Sequence, residues 1–300
     1  FTGDFHAITA AHNLLAAAID NRLHFRDLYL NLDPTKVAWK RVLDVNDRAL
    51  RHIVVGLGGS SQGVPRESGF DITAASEVMA ILCLASSPAD LRSRLDRILV
   101  GYSPKGEPVL ASEIGVTGSL AAILNEALLP NLVQTTDSTP AFVHGGPFAN
   151  IAHGCNSVLA TRMALAMSDY AVTEAGFAFD LGGEKFFDLK CRSAGLNPAA
   201  IVLVATIRAL KMHGGVELSR TKEPDPGAVE RGLENLAAHL DSAAHFNKPT
   251  VVAINRFTSD TLDEFKIVHD YCASRGIPCA TADVFSAGAQ GAIDLAEKVV

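Results

Sequence analysis

The sequence is poor in the features that most often announce a function. Its 300 residues hold five cysteines (Cys83, Cys155, Cys191, Cys272 and Cys279), widely spread and without a Cys-x-x-Cys pair. That spacing supports neither a disulfide framework nor a zinc ribbon, and reduced thiols in a cytoplasmic protein are the simplest expectation. No Cys and His cluster has ligand spacing, so no tightly bound zinc is expected. Apolar runs such as Ile201–Ile207 are strand-sized, far short of the roughly 18 residues that cross a bilayer, so no membrane partner is expected. Positive charge is scarce: 26 Lys and Arg against 33 Asp and Glu leave a net charge of −7. An acidic chain is a poor match for a phosphate backbone, which argues against nucleic acid as a partner. No G-x-x-x-x-G-K-[ST] stretch occurs, so the standard phosphate cradle is missing. The chain opens on Phe1 with no signal peptide and ends at Val300 inside a helical pattern; both ends read as cut.

What is present describes a folded α/β protein. Apolar residues make up 48% of the chain, ample for a packed core, and the length suggests two domains at about 150 residues each. Residues 4–23 repeat Ala, Leu and Ile at helical spacing. Arg51–Leu57 reads as a strand, Ser60–Phe70 as a loop, and Ser87-Pro88 as the start of a helix. Arg97–Tyr102 and Pro108–Leu110 read as strands about the turn Lys105-Gly106. This part, residues 1–128, is expected to be an α+β domain. From residue 129 to 300 the rhythm alternates: strands at Leu132–Thr135, Tyr170–Thr173, Ile201–Thr206, Thr250–Ile254 and Pro278–Ala282, with helices between them, among them Gly182–Arg192. Alternation with continuous apolar strands predicts a parallel sheet with helices on both faces.

Five segments carry chemistry-bearing residues. Ile53–Ser61 runs a strand into Gly56-Leu57-Gly58-Gly59, like a dinucleotide fingerprint, but Ser61 replaces the third glycine and Pro65 interrupts the helix that should follow; a tight turn is the alternative. His144–Ser157 packs His144, His153, Cys155, two Asn and three Gly into fourteen residues, which suits an anion or nucleotide loop, a structural glycine loop, or a thiol nucleophile. Glu174, Gly176 and Asp180 follow a predicted strand, where open α/β sheets bind ligands; the carboxylates are candidates for holding Mg²⁺ through water, or Asp180 simply caps a helix. Arg208 and Lys211 follow Ile201–Thr206 and are candidates for neutralising an anion. Asn255 and Phe257 follow Thr250–Ile254, and Phe285 follows Pro278–Ala282, which places two rings past neighbouring strands as candidate stacking platforms.

Taken in order, these segments resemble the formate–tetrahydrofolate ligase family. The resemblance rests on Phe1–Thr9, Asn46–Arg51, GVPRESGFDIT at 63–73, HGGPFANIAHGCNS at 144–157, TEAGFAFDLGGEKFFDLKCR at 173–192 and VATIRALKMHGG at 204–215. It implies a parallel sheet of the P-loop NTPase type, and a central fragment without the family's P-loop segment and C-terminal domain. It implies ATP-dependent ligation of formate to tetrahydrofolate through formyl phosphate, with ATP, Mg²⁺ and a monovalent cation (K⁺ or NH₄⁺) as cofactors, in a cytoplasmic homo-oligomer, usually a tetramer. Arg208, Lys211, His144 and His153 are then the catalytic candidates. Glu174, Gly176, Asp180 and Asn255 are candidates for nucleotide or formyl phosphate. Phe257 and Phe285 would sandwich the folate ring, the second departing from the Trp that the family often has there. The chain alone is expected to be inactive. A truncated relative that binds folate or serves assembly is the alternative, and a nicotinamide-dependent dehydrogenase a third reading.

Overall fold

A computed structural model describes residues 3–25 and 31–300. Phe1 and Thr2, which open the first family-like segment, lie outside the described residues. The chain forms two compact units, one of Phe1–Phe177 with Asp188–Gly195, the other of Ala178–Phe187 with Leu196–Val300.

In chain order the first unit contains α1 (Asp4–His24), β1 (Arg41–Leu43), β2 (Ile53–Val55), β3 (Arg66–Ser68), β4 (Phe70–Ile72), α2 (Glu77–Leu84), α3 (Pro88–Asp96), β5 (Leu99–Tyr102), β6 (Pro108–Leu110), α4 (Ala111–Ile114), α5 (Thr117–Ile123), β7 (Asn131–Gln134), β8 (Pro140–Val143), α6 (Val158–Met167) and α7 (Arg192–Ala194). Helix α1 buries Ile8, Ala11, Leu15, Ile19 and Leu23, one stripe at helical spacing. These side chains pack with Val78, Met79 and Leu82 of α2 and with Leu91 and Leu95 of α3. Ser87 caps α3 by accepting from Asp90 N, with Pro88 in the first turn, as its sequence implies. The strands are short and pair two by two: β1 with β4 in parallel, and β2–β3, β5–β6 and β7–β8 antiparallel.

The second unit contains β9 (Ile201–Ala205), α8 (Ile207–His213), α9 (Pro226–Ala244), β10 (Thr250–Asn255), α10 (Leu262–Ser274), β11 (Cys279–Ala282), α11 (Val284–Ala287) and α12 (Ile293–Val299). The strands form one parallel sheet in the order β11–β10–β9. Val251–Ile254 of central β10 are all buried, as a strand covered on both faces requires. On edge strand β9, however, Val202 and Val204 are exposed. The sequence expectation of helices on both faces therefore holds for β10 but not across the whole sheet.

Two local expectations are corrected. Tyr170–Thr173 is not a strand: Val172 is 95% exposed, and a β-branched run that pairs with no neighbour has no ladder to hold it extended. The expected loop Ser60–Phe70 contains β3, because Arg66–Ser68 pairs back onto Ile53–Val55. Gly182–Arg192 is helical as expected, much of it in two π-helical stretches, Ala178–Gly183 and Phe186–Cys191.

Candidate functional site

The chemistry-bearing residues of the second unit gather past the carboxyl ends of β9, β10 and β11. Asn255 ends β10 and sits opposite Ala282 of β11 in parallel register. Phe257 follows two residues later and Phe285 three residues beyond Ala282, so both rings lie just past neighbouring strand ends. This is the end of an open α/β sheet at which ligands are bound. Arg256 N donates to Ala282 O at 3.0 Å, and its guanidinium pairs with Asp283 at 3.2 Å, which stitches the two strand ends together. Phe285 is 93% exposed, so core packing does not hold the ring.

Phe257 is half-buried and its backbone is fixed. Phe257 N donates to Asp260 Oδ2 at 2.8 Å, and Asp260 N donates to Phe257 O at 3.0 Å. The Arg208 guanidinium carbon lies 4.1 Å from the ring centroid, within cation–π range, while Nη2 donates to Ser259 Oγ at 3.2 Å. Ser259 and Asp260 belong to the run Asn-Arg-Phe-Thr-Ser-Asp between strand and helix, whose turn-forming residues set this geometry.

Lys211 lies in the same helix as Arg208 but is engaged differently. Its side chain has no exposure, and Nζ lies 2.9 Å from Glu264 Oε1, which has none either. The ammonium also donates to Glu223 O at 2.9 Å. Burial raises the Glu264 pKa, but the Asp225 N–H, the Lys211 ammonium and the Thr261 donors outweigh it and hold the carboxyl below its usual value. This pair is built into the support of the helices.

In the first unit His144 and His153 are buried, at 3% and 1% exposure. His144 Nε2–H donates to Ala127 O at 2.7 Å, so the neutral ring accepts at Nδ1 from Ser157 Oγ at 2.6 Å. Burial lowers its pKa. Both nitrogens are spent on the fold. His153 Nε2–H donates to Asn156 O at 3.3 Å, and burial lowers its pKa to about 4. The Cys155 thiol meets Thr173 Oγ1 at 2.7 Å and Asn156 Oδ1 at 3.4 Å; these partners, not the His153 ring, hold it, so no Cys–His dyad forms. Lys190, also fully buried, donates to Asn156 Oδ1 and Thr161 Oγ1. The glycine pair after His144 has a packing cause: at Gly146, with φ +149, a side chain would collide with the Phe5 ring.

The remaining candidates divide between the units. Glu174 is exposed, and Gly176 takes φ +73 with Ala149 and Asn150 against it, so only glycine fits there. Asp180 and Asn255 belong to the second unit, where the Asp180 carboxylate lies 3.8 Å from His239 Nδ1. Among the described residues no group of three or more His, Cys, Asp or Glu is placed to hold a metal ion. None of the described helices is long and apolar enough to cross a membrane.

The chain is thus a mixed α/β protein with aromatic and arginine side chains at the carboxyl end of a parallel sheet. The model of one family, formate–tetrahydrofolate ligase, matches residues 1–300. The chain is 57% identical over all its 300 residues to the formate–tetrahydrofolate ligase of Granulibacter bethesdensis, covering 52% of that protein. It is likewise 57% identical to the enzyme of that name from Paracoccus denitrificans, covering 54% of it. The chain belongs to the formate–tetrahydrofolate ligase family. It spans about half the length of these curated relatives.

Proposed function

We propose that this chain carries the folate-binding part of an enzyme that joins formate to tetrahydrofolate with ATP. In this reading a formate oxygen takes the γ-phosphoryl group of ATP, giving formyl phosphate and ADP. N10 of tetrahydrofolate then attacks the formyl carbon, phosphate leaves, and N10 loses its proton to give 10-formyltetrahydrofolate. Positioning and charge neutralisation carry most of such a reaction. ATP, formate and tetrahydrofolate are its small-molecule partners, and the assembly is a cytoplasmic homo-oligomer. Sheet β9–β10–β11 is then part of a larger sheet of the P-loop NTPase type; its parallel register and the exposed Val202 and Val204 on its edge support that.

The observation that carries the reading is the Asn255–Ala282 register, which sets Phe257 and Phe285 past adjacent strand ends. A folate ring between them would gain stacking on both faces. Asn255, Glu174, Gly176 and Asp180 are assigned to nucleotide or formyl phosphate. Arg208 supports the Phe257 ring and Lys211 the helices behind it, while His144 and His153 hold segments of the first unit. The test is tetrahydrofolate affinity in the intact protein. With roughly 1–3 kcal/mol per stacked face, Phe257→Ala and Phe285→Ala should each weaken binding by about 5- to 150-fold. Affinity unchanged in both variants would remove the clamp.

A further inference from the structure

We propose that Arg208 is a positioning residue that acts through Phe257, covering one face of the ring so that only the opposite face is offered to the reduced pterin. This rests on the folate reading above and goes beyond it. The sequence reading gives Arg208 an anion to neutralise, but the geometry turns its guanidinium elsewhere. Its carbon stands 4.1 Å from the Phe257 centroid, and Nη2 is tied to Ser259 Oγ at 3.2 Å. Nε is buried without a hydrogen-bond partner, an arrangement that forgoes a donor's bond while keeping the ring contact.

Two consequences follow from the chemistry. The Asp260 turn already fixes the Phe257 backbone through 2.8 and 3.0 Å hydrogen bonds, so the guanidinium removes the side-chain freedom that remains. Stacking then costs less ordering when ligand arrives. A cation on one face also draws π density toward itself. The opposite face becomes electron-poor and suits an electron-rich ring such as the aminopyrimidinone of tetrahydrofolate. The preferred ligand is therefore a flat, electron-rich heterocycle.

The experiment is a double-mutant cycle in the intact protein, read as equilibrium affinity for tetrahydrofolate, with ADP affinity and the thermal midpoint alongside. Arg208→Met should weaken tetrahydrofolate by about three- to tenfold, leave ADP affinity in place, and add no further loss in the Phe257→Ala background. Arg208→Lys keeps the charge but loses the planar fork, and should recover only part of the loss; it also carries the cycle should Arg208→Met not fold. A loss from Arg208→Met that persists in full without the Phe257 ring overturns the proposal, because the arginine then touches ligand itself. Loss of ADP affinity with tetrahydrofolate affinity intact overturns it in favour of anion binding. Phe257→Ala weakening folate while both Arg208 variants bind as the parent does retires the positioning role alone. Phe257→Ala without effect retires the clamp, and the proposal with it.

Discussion

Replacing Lys211 separates structural support from substrate contact. Lys211→Met keeps the length of the side chain and removes its charge. Glu264 would stay at zero exposure. It would keep the Asp225 N–H on Oε1 at 3.0 Å, and the Thr261 N–H and hydroxyl on Oε2 at 2.9 and 3.0 Å, but lose the ammonium 2.9 Å from Oε1. Removing one partner of a buried pair typically costs about 3–5 kcal/mol, which lowers the thermal midpoint on the order of 10 °C. The deficit should shrink in acid. The parent carboxyl is held below its ordinary value, so its stabilisation is present above the unfolded pKa and fades as pH falls through the folded one. In the variant the unpaired carboxyl protonates at higher pH, and the two proteins converge. Adding Glu264→Gln should restore much of the loss, since a neutral side chain leaves no buried charge. The assay is thermal unfolding of the three proteins at pH 7 and pH 4.5, with substrate affinities of those that fold. An unchanged midpoint for Lys211→Met together with abolished substrate binding would refute the reasoning and make Lys211 a substrate contact.

Burial lowers the pKa of both His12 and His153 from 6.5 to about 4. The unfolded chain therefore takes up protons first as pH falls, and stability should drop between pH 6.5 and 4 by up to about 3 kcal/mol per ring, then level off; urea midpoints that hold steady from pH 7 to pH 5 would contradict this. At Gly232 of α9 a Cβ would run into the Leu210 carbonyl oxygen of α8. Gly232→Ala should force the helices apart and lower stability by about 1–3 kcal/mol, and an unshifted unfolding midpoint would deny the close approach. Phe285→Ala removes a ring that is 93% exposed, so its midpoint should stay within about 0.5 kcal/mol of the parent whatever happens to folate binding; a collapse would show that the ring packs.

Elements with local causes were legible in the sequence. The stripe along α1, the Ser87-Pro88 start of α3, the β5–β6 pair about Gly106 and the alternation from β9 to β11 each follow from a few adjacent residues. What was missed depends on partners distant in the chain. Arg66–Ser68 becomes a strand only because Ile53–Val55 lies beside it. Tyr170–Thr173 has strand composition yet no ladder, so propensity alone overstated it. The same holds for side chains. Arg208 and Lys211 are both basic residues just past an apolar strand, and nothing local separates them. The structure gives one a ring and the other a buried carboxylate.

That division of labour explains how the strand end around Phe257 is held in shape. The Glu264 carboxylate receives Lys211 from α8, the backbone of Asp225 that caps α9, and Thr261 that caps α10. One buried charge thus joins helices α8, α9 and α10 of the second unit. The Arg208–Phe257 stack is built from two of them: Arg208 stands on α8, and Phe257, Ser259 and Asp260 form the turn that leads into α10. Any slip between α8 and α10 would change the 4.1 Å ring contact directly, whereas α9 enters through the Gly232 approach to Leu210. A buried ion pair contributes little net stability over an apolar substitute, but its directional bonds favour one arrangement of its neighbours. Replacing both Lys211 and Glu264 with apolar residues should therefore leave the unit folded while loosening the ring contact. The structural ion pair and the stacking arginine, indistinguishable in the sequence, serve the same ring.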